Sequence, residues 1–241
     1  PSSGDEDLKS LTVAILPLPG GEFYHYGTSH EIISSTLEIQ NITKNQEEIL
    51  HNSRKPHPSI FNQNTKNEIK FTSDNRNIWI ENSHINPKWQ LTSENIVTGV
   101  PENDWEITLK PGQCVDIIPL GEKDYVVRPY GFNDKFAGKL QSAPLFPVCH
   151  SAEEAGKVLS HILDRIDYSK PTIDEQLPEI MEQLKSRCVK LLSAEQISNE
   201  ANLVRLNNQR KEFRKENWLA IAENYEHSVF YQSDLDNAAQ E

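Results

Sequence analysis

Cysteine is scarce in this chain. Only Cys114, Cys149 and Cys188 occur in its 241 residues, an odd number without metal-ligand spacing. They read as reduced thiols of a cytosolic protein rather than as a disulfide frame. Basic residues are in deficit, 24 Lys and Arg against 36 Asp and Glu, for a net charge of −12. A nucleic-acid surface needs a basic stripe to replace counterions, so this balance argues against nucleic acid as a partner. A local basic pocket for a phosphate stays open. The ten glycines are scattered, with no G-x-G-x-x-G and no phosphate-loop pattern. No apolar run approaches membrane-spanning length, and no signal-peptide pattern opens the chain. The expectation is a soluble, cytoplasmic protein without a membrane partner. The opening residues, Pro1 to Asp7, form an acidic loop without an initiator methionine and read as the interior of a longer protein.

What is present is a regular series of short apolar runs. They are Ile60–Asn64, Ile78–Asn82, Asn95–Val100 and Cys114–Pro119, with a fifth at Tyr125–Arg128. Their starts step by 18, then about 17, then about 19 residues. Such spacing predicts a β-helix-like solenoid, in which each turn buries its apolar edge on the next. The alternative is an antiparallel sandwich, whose strands recur every 8–12 residues or so. Asn64 and Asn82 close successive runs, and Asn41 closes an earlier one read as a strand, Leu37–Asn41. Asn tolerates the left-handed backbone of tight corners, and stacked Asn side chains can form ladders. Trp79, Trp89 and Trp105 are expected in the β-core; on an exposed rim they would be platforms for a sugar or base.

Before the repeats, Leu11–Leu16 reads as a buried strand ended by Pro17 and Pro19. An aromatic strand, Glu22–Tyr26, then runs into a Gly27-Thr28-Ser29 turn that opens a short helix, with Thr28 or Ser29 as its cap. Backbone amides at such a turn can hold an anion; a capped turn without a ligand is the other reading. From 41 to 58 the chain is polar, and His51, Arg54, Lys55 and His57 are expected on a solvated loop. Ser142–Pro147 is dense in proline and is expected to break regular structure. Beyond 150 the period is helical. Ser151–Glu154, Thr172–Glu175 and Ser193–Gln196 read as three capping boxes. Apolar stripes follow the first two, through Ala155, Leu159 and Ile162 and through Leu177, Ile180 and Met181. The third box is expected to open one long helix to about His227, with Leu203, Leu206, Phe213 and Trp218 as its stripe and a charged outer face suited to a rigid spacer. The fold class is therefore α+β. Residues 20–140 form the solenoid domain, 141–150 a Pro-rich boundary, and 151–241 an α-helical linker region.

Tyr24-His25-Tyr26-Gly27-Thr28, with Ile32-Ile33 behind it, resembles the corner at which many sugar-phosphate nucleotidyltransferases end their catalytic domain. That corner has a pattern like Trp-x-Asp-Ile-Gly-Thr-x-x-x-Tyr-Leu, and a left-handed β-helix often follows it. The resemblance implies substrate-binding roles for His25, Gly27, Thr28, Ser29 and Glu31. His25, Thr28 and Ser29 would contact a sugar phosphate, and Glu31 would orient a neighbour. His25 replaces the family's Asp, which can help to bind Mg2+. A neutral imidazole is a poor ligand for so hard a cation, so a hydrogen bond to a sugar hydroxyl or phosphate is its expected role. No catalytic or metal-binding residue is expected in the chain.

Longer stretches carry a second resemblance. Leu16–Glu31, Trp79–His84, Thr98–Asn103, Ser193–Ser198 and Arg214–Trp218 resemble the bifunctional bacterial L-fucokinase/L-fucose-1-phosphate guanylyltransferases over nearly the whole chain. This implies a parent with an N-terminal nucleotidyltransferase domain, a central β-helix with helical linker, and a C-terminal sugar kinase. Residues 1–19 would then be the strand and loop that end the nucleotidyltransferase domain. The parent would phosphorylate L-fucose with ATP and convert L-fucose-1-phosphate with GTP to GDP-fucose, using Mg2+. The segment itself would need no cofactor and would scaffold and link the two catalytic domains. Its expected partners are those domains, fucose-1-phosphate or GDP-fucose at the corner, and a second copy in a homo-oligomer. A stand-alone carbohydrate-binding β-helix is the further alternative.

Overall fold

Ile78, Ile80, Val97, Val115 and Ile117 alternate along their runs with residues facing the other way, a period of two that puts them on one wall of a strand stack. The computed structural model describes residues 12, 14–17, 19–42, 59–184 and 190–226, with the backbone alone at 41–42 and 220–226. In it the repeats form β1 (Ile60–Gln63), β2 (Lys66–Asn67), β3 (Arg76–Glu81), β4 (His84–Ile85), β5 (Ser93–Thr98) and β6 (Gln113–Leu120). Strands β1, β3, β5 and β6 stack in parallel, and β2 pairs in parallel with β4. A third wall is marked by Gln90, whose amide donates to Ile107 O at 2.8 Å and whose carbonyl accepts from Leu109 N at 2.9 Å. One turn takes 17 or 18 residues, as the pairs Ile80–Val97 and Val97–Val115 require. The result is a β-solenoid of roughly three turns, as the spacing predicted, rather than a sandwich.

Each turn has two left-handed corners. Asn64, Asn82 and Gly99 follow successive strands at φ 50°, 50° and 70°; Asn77, Glu94 and Gly112 stand at the strand starts at φ 52°, 56° and 77°. The expected Asn corners are therefore present. The side-chain ladders lie elsewhere. Asn67, Asn86 and Asn103 each accept the amide two residues on (Ile69, Lys88, Trp105), and Asn86 Nδ2 donates to Asn103 Oδ1 at 2.8 Å. A second series closes the corners before β3, β5 and β6. The amides of Thr72, Thr92 and Lys110 donate to the side-chain oxygens of Asn75, Asn95 and Gln113. The same side chains reach the next turn, Asn75 Nδ2 to Leu91 O at 2.8 Å and Asn95 Nδ2 to Gln113 O at 2.8 Å. Gln113 has no further parallel turn to reach, and its buried Nε2 is unpaired.

The sheet changes sense there. β6 pairs antiparallel with β7 (Asp124–Gly131). After α2 (Lys139–Ser142), β8 (Phe146–Cys149) adds to β7, and β9 (Leu191–Leu192) adds to β8. Ser142–Pro147 thus carries regular structure at both ends, contrary to expectation. Proline is tolerated because the ladder to β9 uses the amides of Leu145 and Val148, at 3.0 and 2.9 Å, and none is needed at Pro147. Helices α3 (Ala152–Leu163) and α4 (Leu177–Leu184) bury the predicted stripes, and one apolar core runs from Ile78 in the coil to Phe146, Leu159, Leu177 and Ile197.

One of the three capping boxes closes on both sides, Ser193 and Gln196 capping each other; Ser151 accepts Glu154 N at 3.1 Å, but Glu154 Oε2 accepts His150 N instead of the Ser151 amide. The Thr172 box does not form, because Asp174 Oδ1 takes the Glu175 amide at 2.9 Å while Asp134 takes those of Ile173 and Asp174 at 2.8 and 2.9 Å, and α4 begins only at Leu177. The expected single long helix is two, α5 (Ala194–Glu200) and α6 (Leu203–Glu226). The break is made by the coil: Ala201 bridges Leu120, and Asn202 N donates to Pro119 O at 2.7 Å. Helix α6 then docks. Arg205 Nη1 donates to Leu120 O and Asp124 O at 2.7 and 2.9 Å, and Gln209 Nε2 to Asn82 O and Gly99 O at 2.9 and 3.1 Å. Phe213 is buried, but Leu203 and Trp218 are exposed, so the predicted stripe is only partly a core face.

Three other sequence readings fail. The described residues of Leu11–Leu16 form no strand, Ile15 and Leu16 being 92% and 87% exposed, and Glu22–Tyr26 is also not strand. Leu37–Asn41 is helical, within α1 (Glu31–Ile42). Residues 43–58, with their basic cluster, and Cys188 lie outside the described residues. Among the described residues no helix is long and apolar enough to cross a membrane.

Candidate functional site

The outer face of the solenoid sheet carries one apolar row. Phe61, Trp79 and Ile96 are register partners on successive strands, and Cys114 lies opposite Tyr130 on the last two. Helix α1 covers this row with Ile33 and Leu37. Their spacing of one helical turn, not strand alternation, decides the conformation of Leu37–Asn41. Burial of Trp79, and of Trp89 and Trp105 elsewhere in the core, leaves none of the three as a stacking platform.

Seating α1 here fixes the turn that precedes it. Glu31 is the first helical residue, and its Oε2 reaches back to accept Gly27 N and Thr28 N at 2.7 Å each and His25 Nδ1 at 3.0 Å. Ser35, buried, donates its Oγ to His25 O at 2.6 Å. Four of the five predicted site residues, His25, Gly27, Thr28 and Glu31, are thus drawn together around one carboxylate. Ser29 stands in the same turn, half-buried, without joining that carboxylate. The hydroxyl cap expected from Thr28 or Ser29 is replaced: Thr28 Oγ1 is hydrogen-bonded to His30 Nδ1 at 3.2 Å, and Glu31 serves the turn's amides. The two amides expected to face an anion are therefore satisfied from within.

Gly27 is required by this packing. A Cβ there would lie 2.0 Å from His25 Cε1, so any side chain displaces the imidazole from Glu31. With Nδ1 committed to Glu31, the exposed ring presents Nε2 outward. The bond from His25, joined by those from Gly27 and Thr28, holds the Glu31 carboxyl down at about 2 from its ordinary 4.5. A carboxyl depressed on folding stabilises the fold above its unfolded value and loses that contribution as pH falls through the folded one. The corner is therefore expected to stay closed at pH 4.5 and to open on approach to about 2. An NMR titration of the Gly27 and Thr28 amides measures this; a midpoint at the ordinary carboxylate value would refute the closed corner.

A second polar group on the same face escaped sequence reasoning. Asp116 accepts Thr98 Oγ1 at 2.7 Å, Tyr130 OH at 3.2 Å and Arg128 Nη1 at 2.5 Å. Burial, then the Asp116 charge, pushes the Tyr130 hydroxyl well above its ordinary range. The signal was present as register: Glu81, Thr98, Asp116 and Arg128 occupy one line across the sheet. Every charge in the Asp116–Arg128 pair is answered, so the group reads as a clamp between the coil and β7. Among the described residues no cluster of three His, Cys, Asp or Glu side chains has the arrangement to hold a metal ion.

No family model matches the chain, and no solved structure matches it. Among curated proteins it is similar to the L-fucokinase/L-fucose-1-P guanylyltransferase of Bacteroides fragilis, with 43% identity over 274 residues. That alignment takes in 100% of this chain and 28% of the relative, so the chain spans little more than a quarter of the curated protein it matches.

Proposed function

We propose that the chain is the central segment of a bifunctional enzyme that phosphorylates L-fucose with ATP and then joins L-fucose-1-phosphate to GMP from GTP, giving GDP-fucose and pyrophosphate. The similarity that runs through the whole chain at 43% identity carries this reading. In it the segment is cytoplasmic and is a scaffold between two catalytic domains. The physical support is the continuity of its core, from the coil to the last capped helices, together with the pinning of α6 on the coil by Arg205 and Gln209. A body of this kind transmits position from one end to the other because its turns are held by backbone ladders rather than by flexible joints.

A second reading adds a ligand contact, and the locked imidazole favours it. His25, Gly27, Thr28, Ser29 and Glu31 belong in this reading to the guanylyltransferase site, with His25 Nε2 accepting a hydroxyl of the sugar phosphate and Glu31 holding the ring. A hydroxyl suits Nε2 because it can both donate and accept. In the full-length parent, His25→Ala is expected to lower guanylyl transfer by about tenfold, the worth of one hydrogen bond, and to leave fucokinase activity unchanged. Steady-state assays of both reactions measure it. Unchanged transfer would remove the corner from the site and leave the scaffold role alone.

A further inference from the structure

A groove of about 320 Å3 lies where α6 crosses the coil, lined by Glu81, Asn82, Thr98, Gly99, Ile117, Ile118, Leu203, Leu206, Asn207 and Arg210. It is separate from the His25 corner. Its size falls at the low end for small-molecule sites, which run from roughly 300 to 1,000 Å3. Four polar side chains on it keep hydrogen-bonding capacity that the described residues do not use. Asn82 is 6% exposed, its Nδ2 donates to Leu206 O at 3.2 Å, yet its buried Oδ1 accepts nothing. Buried polar atoms are almost always paired, so this orphan asks for a donor. Glu81 accepts Trp79 Nε1 at 3.3 Å through Oε2, which leaves Oε1 open. Asn207 and Arg210 make no hydrogen bond or ion pair among the described residues. Between these groups the groove is apolar, with Ile118 and Leu206 half-buried.

The mixture selects the ligand class. Asn82 Oδ1 and Glu81 accept, Arg210 donates, and Asn207 does both. A simple anion meets the Glu81 carboxylate, and a simple cation meets Arg210. A polyol satisfies all four, because each hydroxyl both donates and accepts, and the C–H face of a pyranose ring covers an aliphatic floor. We propose that this groove binds a neutral monosaccharide, with its hydroxyls on Asn82, Glu81, Asn207 and Arg210 and one ring face on Ile118 and Leu206. The site uses none of the buried tryptophans as a platform. Trp79 nevertheless reports on it, since its indole N–H shares the Glu81 carboxylate.

The test is an NMR titration of the 241-residue chain with L-fucose, D-galactose and D-glucose in turn, following the Trp79 indole N–H. Saturable movement with at least one sugar is expected at roughly millimolar affinity, the range open to so small a ligand. Glu81→Gln, at a half-buried position, and Arg210→Ala, at an exposed one, should each weaken it about tenfold. No saturable response to any of the three sugars at tens of millimolar overturns the proposal. So does a response that survives both groove variants, or one given by inorganic phosphate and by no sugar, which would make the groove an anion site.

Discussion

Gly99→Ala is expected to destabilise the protein by about 3–5 kcal/mol, the sum of a left-handed backbone penalty and a steric overlap that cannot relax. Gly99 has φ 70°, and a Cβ built on it lies 2.2 Å from Ile117 O. That oxygen belongs to the next turn of the coil. Relief would require two strands to part, against the hydrogen bonds of the whole parallel stack. Gly112 supplies the control. Its φ is 77°, but nothing lies within 4 Å of its built Cβ. Gly112→Ala should therefore cost only the conformational penalty, about 1–2 kcal/mol. Gly99→Asn separates the two terms further. Asn stands at the equivalent corners 64 and 82 with φ 50°, so it accepts the backbone, yet it still brings a Cβ. It should be nearly as damaging as alanine. Urea unfolding of the three variants decides the matter; equal losses for Gly99→Ala and Gly112→Ala would show that the turns yield easily.

Asp134→Ala is expected to cost about 3 kcal/mol. The carboxylate is 6% exposed and accepts the amides of Gly131, Ile173 and Asp174 at 2.6, 2.8 and 2.9 Å. Asp174 returns the service, its Oδ2 accepting Phe136 N at 3.0 Å. The two side chains thus tie the loop after β7 to the loop before α4. Alanine leaves three buried N–H groups without acceptors, each worth about 1–3 kcal/mol. Release of a buried carboxylate beside another offsets part of that, which sets the net figure. Burial first, then the Asp174 charge, raises the Asp134 carboxyl above its ordinary 3.8. A carboxyl raised on folding takes its proton more readily folded than unfolded, so its contribution grows as pH falls through the raised value towards 3.8. The gap between wild type and variant should widen over that interval. A loss under about 1 kcal/mol would mean that the loops find other acceptors.

The repeating part of the fold was legible because solenoid turns repeat their demands. Ile60 and Ile78, and likewise Ile80, Val97 and Val115, recur at the length of one turn, and Asn appears where a left-handed corner is needed. The helices whose caps are local, at Ser151 and Ser193, were legible for the same reason. What failed depends on contacts distant in sequence. Thr172–Glu175 has the letters of a capping box, but Asp134, 39 residues away, claims its amides. Nothing between Ser193 and His227 announces a break, because Leu120 and Pro119 impose it from the coil. Leu11–Leu16 has strand composition, but strand structure requires an edge to pair with, and the described residues offer it none. At the candidate site, the residues of the corner were named from their pattern. The role of Glu31 as acceptor for two amides and an imidazole was not, since it follows from where α1 is seated on Phe61 and Trp79.

The unpaired Gln113 Nε2 marks the place where the corner ladder stops. Each corner amide before it, Asn75 and Asn95, spends its donor on the following turn; Gln113 is left with the same donor where the parallel stack stops. The coil therefore behaves as a ruler whose last graduation is still open. Insertion of one complete turn ahead of β6 would repeat the ladder bonds and lengthen the body by one strand spacing, about 4.8 Å, but it would part the Leu120 anchor of Arg205 from the Gly99 anchor of Gln209. Insertion of half a turn would reverse inward and outward faces. Length in this protein is thus adjustable only in whole steps, and each step has to be matched by the two helices, α1 and α6, that lie across several turns at once.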